Sequence, residues 1–205
     1  MKPPKVAILD YGVGNLLSIK MGIQRGGGIP HITRDLKEAL TLDALILPGV
    51  GAFKPAMSFL QPYKDKLLEA LDEGKPLLGI CLGMQLLFSE SLEGGLTPGL
   101  NIFKGRIVPL PEGVKKPHMG WNSVKILREN PLLQGIPDGE YFYFVHSYYP
   151  ETSGSHVLAS TSYGVDFPCV VGEGKIFGTQ FHPEKSGPQG LRILKNFIGR
   201  IVDEG

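Results

Sequence analysis

The chain reads as an α/β protein with a mostly parallel central sheet, helices on both faces and a β-rich second half. Three features predict it. Short apolar runs alternate with stretches in which apolar residues recur every three or four positions, the pattern of strands feeding helices. Glycine and proline, 28 and 17 of 205 residues, are in excess and fall between these segments without a repeat. From about residue 100 the helical spacing disappears, and strand-like segments follow one another until a last helix.

Val6-Ala7-Ile8-Leu9 is apolar throughout and too short for a helix, which suits a strand covered on both faces. Leu16, Ile19 and Ile23 then recur at helical spacing until Gly26-Gly27-Gly28 ends the pattern. Residues 30–33 make a weak strand, and Asp35 with Glu38 three positions on resembles a capping box for a short helix. Residues 44–47 are a second buried strand, closed by Pro48-Gly49. One long helix is expected over residues 55–73, with Phe59, Leu60, Tyr63, Leu67, Leu68 and Leu71 on one side and Gly74 as its stop. Residues 76–80 read as a strand and residues 82 to about 91 as a helix. Further strands are expected at residues 102–110, 123–127, 141–147, 156–162 and 168–181, the last folded back at Glu173-Gly174. A helix over residues 188–202 closes the chain. No repeat or linker intervenes, so residues 1–205 are expected to form one domain.

Hydrophobic residues make up 42% and charged residues 20%, the balance of a globular rather than a disordered chain. The formal net charge of +1 excludes a polycation and gives no reason to expect nucleic acid as the main partner. The first apolar run, ended by Asp10, is shorter than a signal peptide requires, and no stretch reaches the roughly 20 apolar residues of a membrane helix. Two cysteines, Cys81 and Cys169, make neither a disulfide framework nor a C-x-x-C metal pair. A reduced, cytoplasmic protein without membrane, metal or cofactor is expected.

Gly79-Ile80-Cys81-Leu82-Gly83 sets a cysteine between glycines where a buried strand meets a helix, the cysteine counterpart of the G-x-S-x-G nucleophile elbow. Such a turn is strained and brings backbone close together. Helix N–H groups aimed at the sulfur favour the nucleophilic thiolate. A buried structural cysteine is the alternative for Cys81, and the reading adopted for Cys169. A nucleophile needs a base, and the base an orienting group. His182-Pro183-Glu184 follows a strand, and in extended backbone residues i and i+2 share a face, so Glu184 could hold the His182 imidazole. His31 and His156 have no carboxylate beside them in sequence. An oxyanion could be stabilised by the Leu82 N–H and by a donor from Pro48-Gly49-Val50-Gly51, although that loop by itself also reads as an ordinary tight turn. Gly12-Val13-Gly14 is a poor dinucleotide signal, because Leu17 stands where a third glycine belongs.

These residues give the chain a likeness to a known family. It resembles the class I (triad) glutamine amidotransferases over essentially its whole length. Residues 79–88 and Gln180-Phe181-His182-Pro183-Glu184-Lys185-Ser186 carry the likeness. More narrowly it is similar to the glutaminase subunits of imidazole glycerol phosphate synthases. Asp10-Tyr11-Gly12-Val13-Gly14-Asn15 and Pro117-His118-Met119-Gly120-Trp121-Asn122 point there. So does Val50, in a segment where other triad members typically carry Pro-Gly-Gly. The resemblance implies a flavodoxin-like fold and a Cys81–His182–Glu184 triad that hydrolyses L-glutamine through a thioester. It implies an oxyanion hole from Val50 and Leu82, and glutamine contacts from Gly49, Gly51, Gln85, Glu93, Ser147 and Tyr148. It also implies a (β/α)8-barrel cyclase partner, which uses the ammonia to make imidazole glycerol phosphate and AICAR in histidine biosynthesis. Asn15, Met119, Trp121, Asn122, Tyr143 and Lys185 match interface or gating positions of the family. No cofactor is implied.

Charge distribution adds an independent hint of a partner. Between Lys104 and Arg128 six Lys/Arg face one acid, Glu112. A docking patch and a solvated basic face both fit. Nucleic acid fits less well, since the run lacks interleaved stacking aromatics. Trp121 reads as an interface anchor or as a core residue. Two rival functions stand beside the glutaminase: another cysteine hydrolase of the same fold, and a binding subunit that no longer turns over. The intact Cys81/His182/Glu184 set argues against the second.

Overall fold

The computed structural model describes residues 2–12 and 15–202. The first half comprises β1 (Lys5–Leu9), α1 (Leu16–Gly26), β2 (Ile29–Thr33), α2 (Leu36–Leu40), β3 (Ala44–Leu47), α3 (Phe53–Leu60), α4 (Lys64–Asp72), β4 (Leu77–Ile80) and α5 (Leu82–Gln85). There follow β5 (Phe88–Ser91), β6 (Thr97–Pro98), β7 (Phe103–Pro109), β8 (His118–Ser123), β9 (Lys125–Ile126) and β10 (Tyr141–His146). The chain continues through β11 (Tyr148–Glu151), β12 (Val157–Ser162), β13 (Asp166–Glu173), β14 (Ile176–Thr179) and α6 (Gly187–Asn196).

The main sheet has eight strands in the order β2-β1-β3-β4-β14-β13-β12-β9. From β2 to β14 neighbours run parallel, and β13, β12 and β9 continue antiparallel. Alternation along the short strands decides what each face buries. Val6 and Ile8 join Ile46, Leu78 and Ile80 beneath Ile19 and Ile23 of α1 and Ile193 and Leu194 of α6. Ala7 and Leu9 join Leu45, Leu47 and Leu77 against Leu36, Phe53, Met57, Leu67 and Leu71 of α2, α3 and α4. Each such buried aliphatic side chain contributes about 1.5–3 kcal/mol. Both faces are therefore covered by helices, as the apolar runs predict. Two smaller sheets flank this body: β11-β7-β5-β6 and the ribbon β10-β8. Among the described residues, no helix is long and apolar enough to cross a membrane.

The structure departs from the sequence reading at several elements. The helix expected over 55–73 starts at Phe53 and breaks at the 3-10 turn Gln61–Tyr63 before α4 resumes. Pro62 accounts for the break, since it has no N–H and its ring clashes with the carbonyl four residues back. The helix expected from Leu82 to about Ser91 ends at Gln85, and Phe88–Ser91 is a strand paired with β7. Met84, Leu86, Leu87 and Phe88 are all buried, so this apolar run carries no period that separates helix from strand. The strand expected at 123–127 is displaced: β8 precedes it and β9 keeps only two of its residues. The closing helix turns into a π-helix over Phe197–Val202.

Asp35 caps α2 by accepting from the Lys37 N–H at 2.8 Å, but the reciprocal half of a capping box is missing. Glu38 instead accepts from the Thr33 hydroxyl and meets His31 Nε2 at 2.9 Å, and Thr33 Oγ1 takes the Asp35 N–H at 3.0 Å. Asp35→Ala is expected to destabilise the fold by about 1 kcal/mol, read as a lower denaturant midpoint, with Glu38→Ala adding no further capping loss.

Candidate active site

Cys81 sits at the C-terminal end of β4, between the last sheet residue and α5, with φ 49° and ψ −102°. That backbone is strained for a residue with a side chain, and it thrusts the sulfur away from the sheet. Gly83 makes the turn possible: a Cβ there would stand 2.0 Å from the Leu47 carbonyl oxygen. A Cβ on Gly49 would stand 2.0 Å from the Ile80 carbonyl oxygen and 2.8 Å from Cys81 Cβ. The two loops that follow β3 and β4 are thus locked together backbone to backbone. The elbow expected from sequence is present, although α5 is a single turn and its dipole is correspondingly short.

Cys81 opens into a cavity of about 320 Å³. Gly49, Val50, Gly51, Leu82, Gln85, Glu93, Ser147 and Tyr148 line it together with Cys81. Every residue expected to contact glutamine or form the oxyanion hole therefore converges here. As first residue of α5, Leu82 has no intrahelical acceptor for its N–H. Glu93 also anchors a neighbouring element, accepting the Phe53 N–H of α3 at 2.9 Å. A larger groove of about 430 Å³ between α1 and α6 reaches Glu184 but neither Cys81 nor His182, so it cannot hold a group reacting with the thiol.

His182 and Glu184 form a buried pair, Nδ1 to Oε1 2.8 Å, with both side chains 2% exposed. The pairing holds, but its local cause differs from the extended backbone expected: Pro183 starts a 3-10 turn, Pro183–Lys185, that carries Glu184 back under the ring. The segment is fixed from β10, whose Tyr143 carbonyl accepts the His182 N–H at 2.9 Å, and by Ser186 Oγ, which takes the Tyr143 N–H at 2.9 Å. Burial, the largest single influence, disfavours the imidazolium. Attraction to Cys81 and the Glu184 carboxylate together outweigh it, and the His182 pKa rises from 6.5 to about 10. Among the described residues His182 Nε2 and Glu184 Oε2 are buried with no partner. The sulfur instead lies 3.7 Å from the Val145 carbonyl and accepts from Gln180 Nε2 at 3.5 Å. Cys169 is also buried, and burial pushes its thiol up, away from reactivity.

Four of the six positions matched to an interface, Met119, Trp121, Asn122 and Tyr143, lie on the ribbon of β8 and β10. Met119 and Trp121 are exposed on its outer side, Trp121 at 56%, which removes the core reading of this residue. Tyr143 pairs with Trp121 across the ribbon, ring centroids 6.2 Å apart and edge to face. Asn122 points the other way, its Nδ2 bonded to the Ser162 carbonyl at 2.9 Å. Lys185 lies in the 3-10 turn after His182, and Asn15 is the N-cap of α1, accepting from the Ser18 N–H at 3.3 Å. Val13 and Gly14 of the same motif lie outside the described residues. The six cations from Lys104 to Arg128 are all exposed, and one of them, Arg106, is paired with Glu151 at 3.1 Å.

Sequence reasoning passed over several residues of this site. Tyr11 is buried, its hydroxyl donates to the Pro48 carbonyl, and burial together with Cys81 raises its pKa well above the ordinary value. Gln180 bridges Gln85 and Cys81, while Pro117, Val145 and His146 complete the cavity wall. Tyr11, Pro117 and Gln180 stand in segments that carry the family likeness, but nothing in the residue pattern gives them a role at the thiol or its cavity.

A cysteine on a strained strand–helix turn, a buried histidine–carboxylate pair and a small polar cavity are the equipment of an amide-hydrolysing thiol enzyme. The chain belongs to the class I glutamine amidotransferases, whose family model matches residues 28–201. Within that class it belongs with the imidazole glycerol phosphate synthase subunit HisH. It is 51% identical to HisH of Methanosarcina acetivorans over 95% of this chain and 98% of the relative. It is 50% identical to HisH of Caldanaerobacter subterraneus over 94% and 96%. Solved structures share the fold at lower identity. A glutamine amidotransferase superposes with TM-score 0.72 at 22% identity, covering 95% of this chain and 97% of the other. PurLQS from Thermotoga maritima gives 0.71 at 19%, covering 97% and 99%.

Proposed function

We propose that the chain is the glutaminase subunit of an imidazole glycerol phosphate synthase, a single domain over residues 1–205 acting in the cytoplasm. Cys81 Sγ attacks the side-chain amide carbon of L-glutamine in the cavity, forming a C–S bond and an oxyanion that the Val50 and Leu82 N–H groups receive. His182, held as imidazolium by Glu184, gives its proton to the amide nitrogen; the C–N bond breaks and ammonia leaves. Water then attacks the thioester, His182 takes its proton, and C–S cleavage releases glutamate and restores the thiolate. Gln85, Glu93, Gly49, Gly51, Ser147 and Tyr148 hold the rest of the substrate. Ammonia passes to a (β/α)8-barrel cyclase docked on Met119, Trp121, Asn122 and Tyr143, with Asn15 and Lys185 at the edge of the contact.

One observation carries this reading: Cys81, on a strained turn, lines the cavity and at the same time acts on the ring of a buried His182–Glu184 pair. The HisH relatives support the assignment to a synthase subunit. Purified chain mixed with cyclase barrel and its nucleotide substrate is expected to release glutamate from glutamine faster than the chain alone. No glutamine hydrolysis under any of these conditions would overturn the proposal.

A further inference from the structure

On the inner side of the ribbon, His118 of β8 and His146 of β10 stand opposite one another, both buried. His118 stacks on Tyr163, centroids 3.9 Å apart, and on Phe144 at 5.0 Å. His118 Nδ1 is 3.0 Å from His146 Nε2, and His146 Nδ1 is 2.9 Å from the Tyr148 carbonyl oxygen. A carbonyl only accepts, so His146 Nδ1 bears the proton and its Nε2 is the acceptor of a neutral ring. His118 Nδ1 must then donate, which leaves His118 Nε2 to accept from Asn122 Nδ2 at 3.4 Å. Burial keeps both rings neutral, pulling His118 down to about 4 and His146 to about 3. The direction of every hydrogen bond is thereby fixed.

The same carbonyl joins this chain to the cavity. Tyr148 O also accepts from Gln85 Nε2 at 2.9 Å, and that nitrogen's second proton goes to Gln180 Oε1 at 3.2 Å. With both N–H groups committed, Oε1 is the atom that Gln85 can present to a molecule in the cavity it lines. Asn122, at the far end, lies on the strand whose outer side exposes Met119 and Trp121.

We propose that His118 and His146 are positioning residues that fix the Tyr148 carbonyl, and through it the orientation in which Gln85 offers an acceptor to the donor groups of glutamine. The proposal deepens the glutaminase reading and rests on it. It gives docking on the outer side of the ribbon a route to glutamine affinity, because the pressed strand and the relay are one element.

The test uses full-length chain carrying Cys81→Ser, in which glutamine binding is read by calorimetry without turnover. His118→Phe keeps a ring in the stack with Tyr163 and removes both nitrogens. Glutamine should bind about fivefold more weakly, the worth of one net hydrogen bond, in a chain that stays folded with its thermal midpoint lowered by the unpaired His146 Nε2. Asn122→Ala should weaken it about twofold, and the double variant should be no weaker than His118→Phe alone, because Asn122 acts only through His118. Unchanged affinity in His118→Phe, or additive losses in the double variant, would overturn the relay. If His118→Phe does not fold, Asn122→Ala decides, and unchanged affinity there overturns it. The NMR signals of the Gln85 side-chain amide give a readout that needs no substrate. They should shift in His118→Phe, or in Asn122→Ala if the first variant does not fold, and unmoved signals overturn the relay. Should the Cys81→Ser chain bind no glutamine at all, the glutaminase reading falls while the amide signals still judge the relay.

Discussion

Cys81→Ser is expected to lower glutamine turnover, measured with the cyclase partner present, by at least about 10⁴-fold. Serine keeps the size and the turn, so the cavity and substrate contacts survive; what disappears is an atom able to attack at neutral pH. A hydroxyl is a far weaker acid than a thiol and needs a strong base in direct contact. The geometry offers none, because His182 Nε2 makes no hydrogen bond among the described residues, to Cys81 or to any other group. Cys169→Ser supplies the contrast. That sulfur is buried in the sheet, away from the cavity wall, so turnover per folded molecule should stay within about twofold while stability falls by roughly 1–2 kcal/mol from burying a hydroxyl. Glutamate release at more than about one per cent of the unsubstituted rate in Cys81→Ser would remove Cys81 from the chemistry.

The parts of this site legible in sequence are those set by neighbours along the chain. Val6–Leu9, Ala44–Leu47 and Leu77–Ile80 announce themselves because a strand covered on both faces leaves no room for polar side chains. The elbow is legible for a related reason: at Gly83 the last residue of β3, Leu47, leaves no space for a side chain. His182 and Glu184 could be paired from spacing alone, yet the spacing argument assumed extended backbone where Pro183 imposes a 3-10 turn. The pair survives because residues two apart can meet in either conformation when the intervening ring fixes the path. What could not be read depends on contacts between distant segments. Gln180 meets Gln85 across 95 positions, and His118 meets His146 across 28. β8 has no apolar alternation of its own, since one face is left exposed and the other carries polar residues satisfied by β10 and Ser162. The split of the 55–73 helix is a different kind of miss. Pro62 is a local signal for the break, set within an apolar stripe that continues on either side of it.

Glu184→Gln is expected to lower turnover by about 10²–10⁴-fold and to lower the His182 pKa. The amide preserves shape and can still meet Nδ1, but it withdraws the charge that, together with Cys81, overcomes the burial of the imidazolium. A less basic His182 is a lesser reservoir of the proton that departing ammonia needs, and an amide that turns its N–H toward the ring would also stabilise the wrong tautomer. The sign of the stability effect follows from the direction of the shift. The folded-state pKa of His182 lies at about 10, above its ordinary value of 6.5, so the protonated ring stabilises the fold. That contribution is complete below about pH 6.5 and is lost as pH rises through about 10. The part owed to Glu184 should therefore make the parent more stable than Glu184→Gln by the largest margin near pH 6, with the margin shrinking as pH approaches 10. Denaturant unfolding at pH 6, 8 and 10 measures the margin, and a ring carbon NMR titration of His182 locates the pKa in each protein. A margin that stays constant across these values would mean that Glu184 does not hold the proton on His182. The triad would then owe the elevated pKa to Cys81 alone, and a turnover loss in Glu184→Gln would have to come from ring orientation rather than charge.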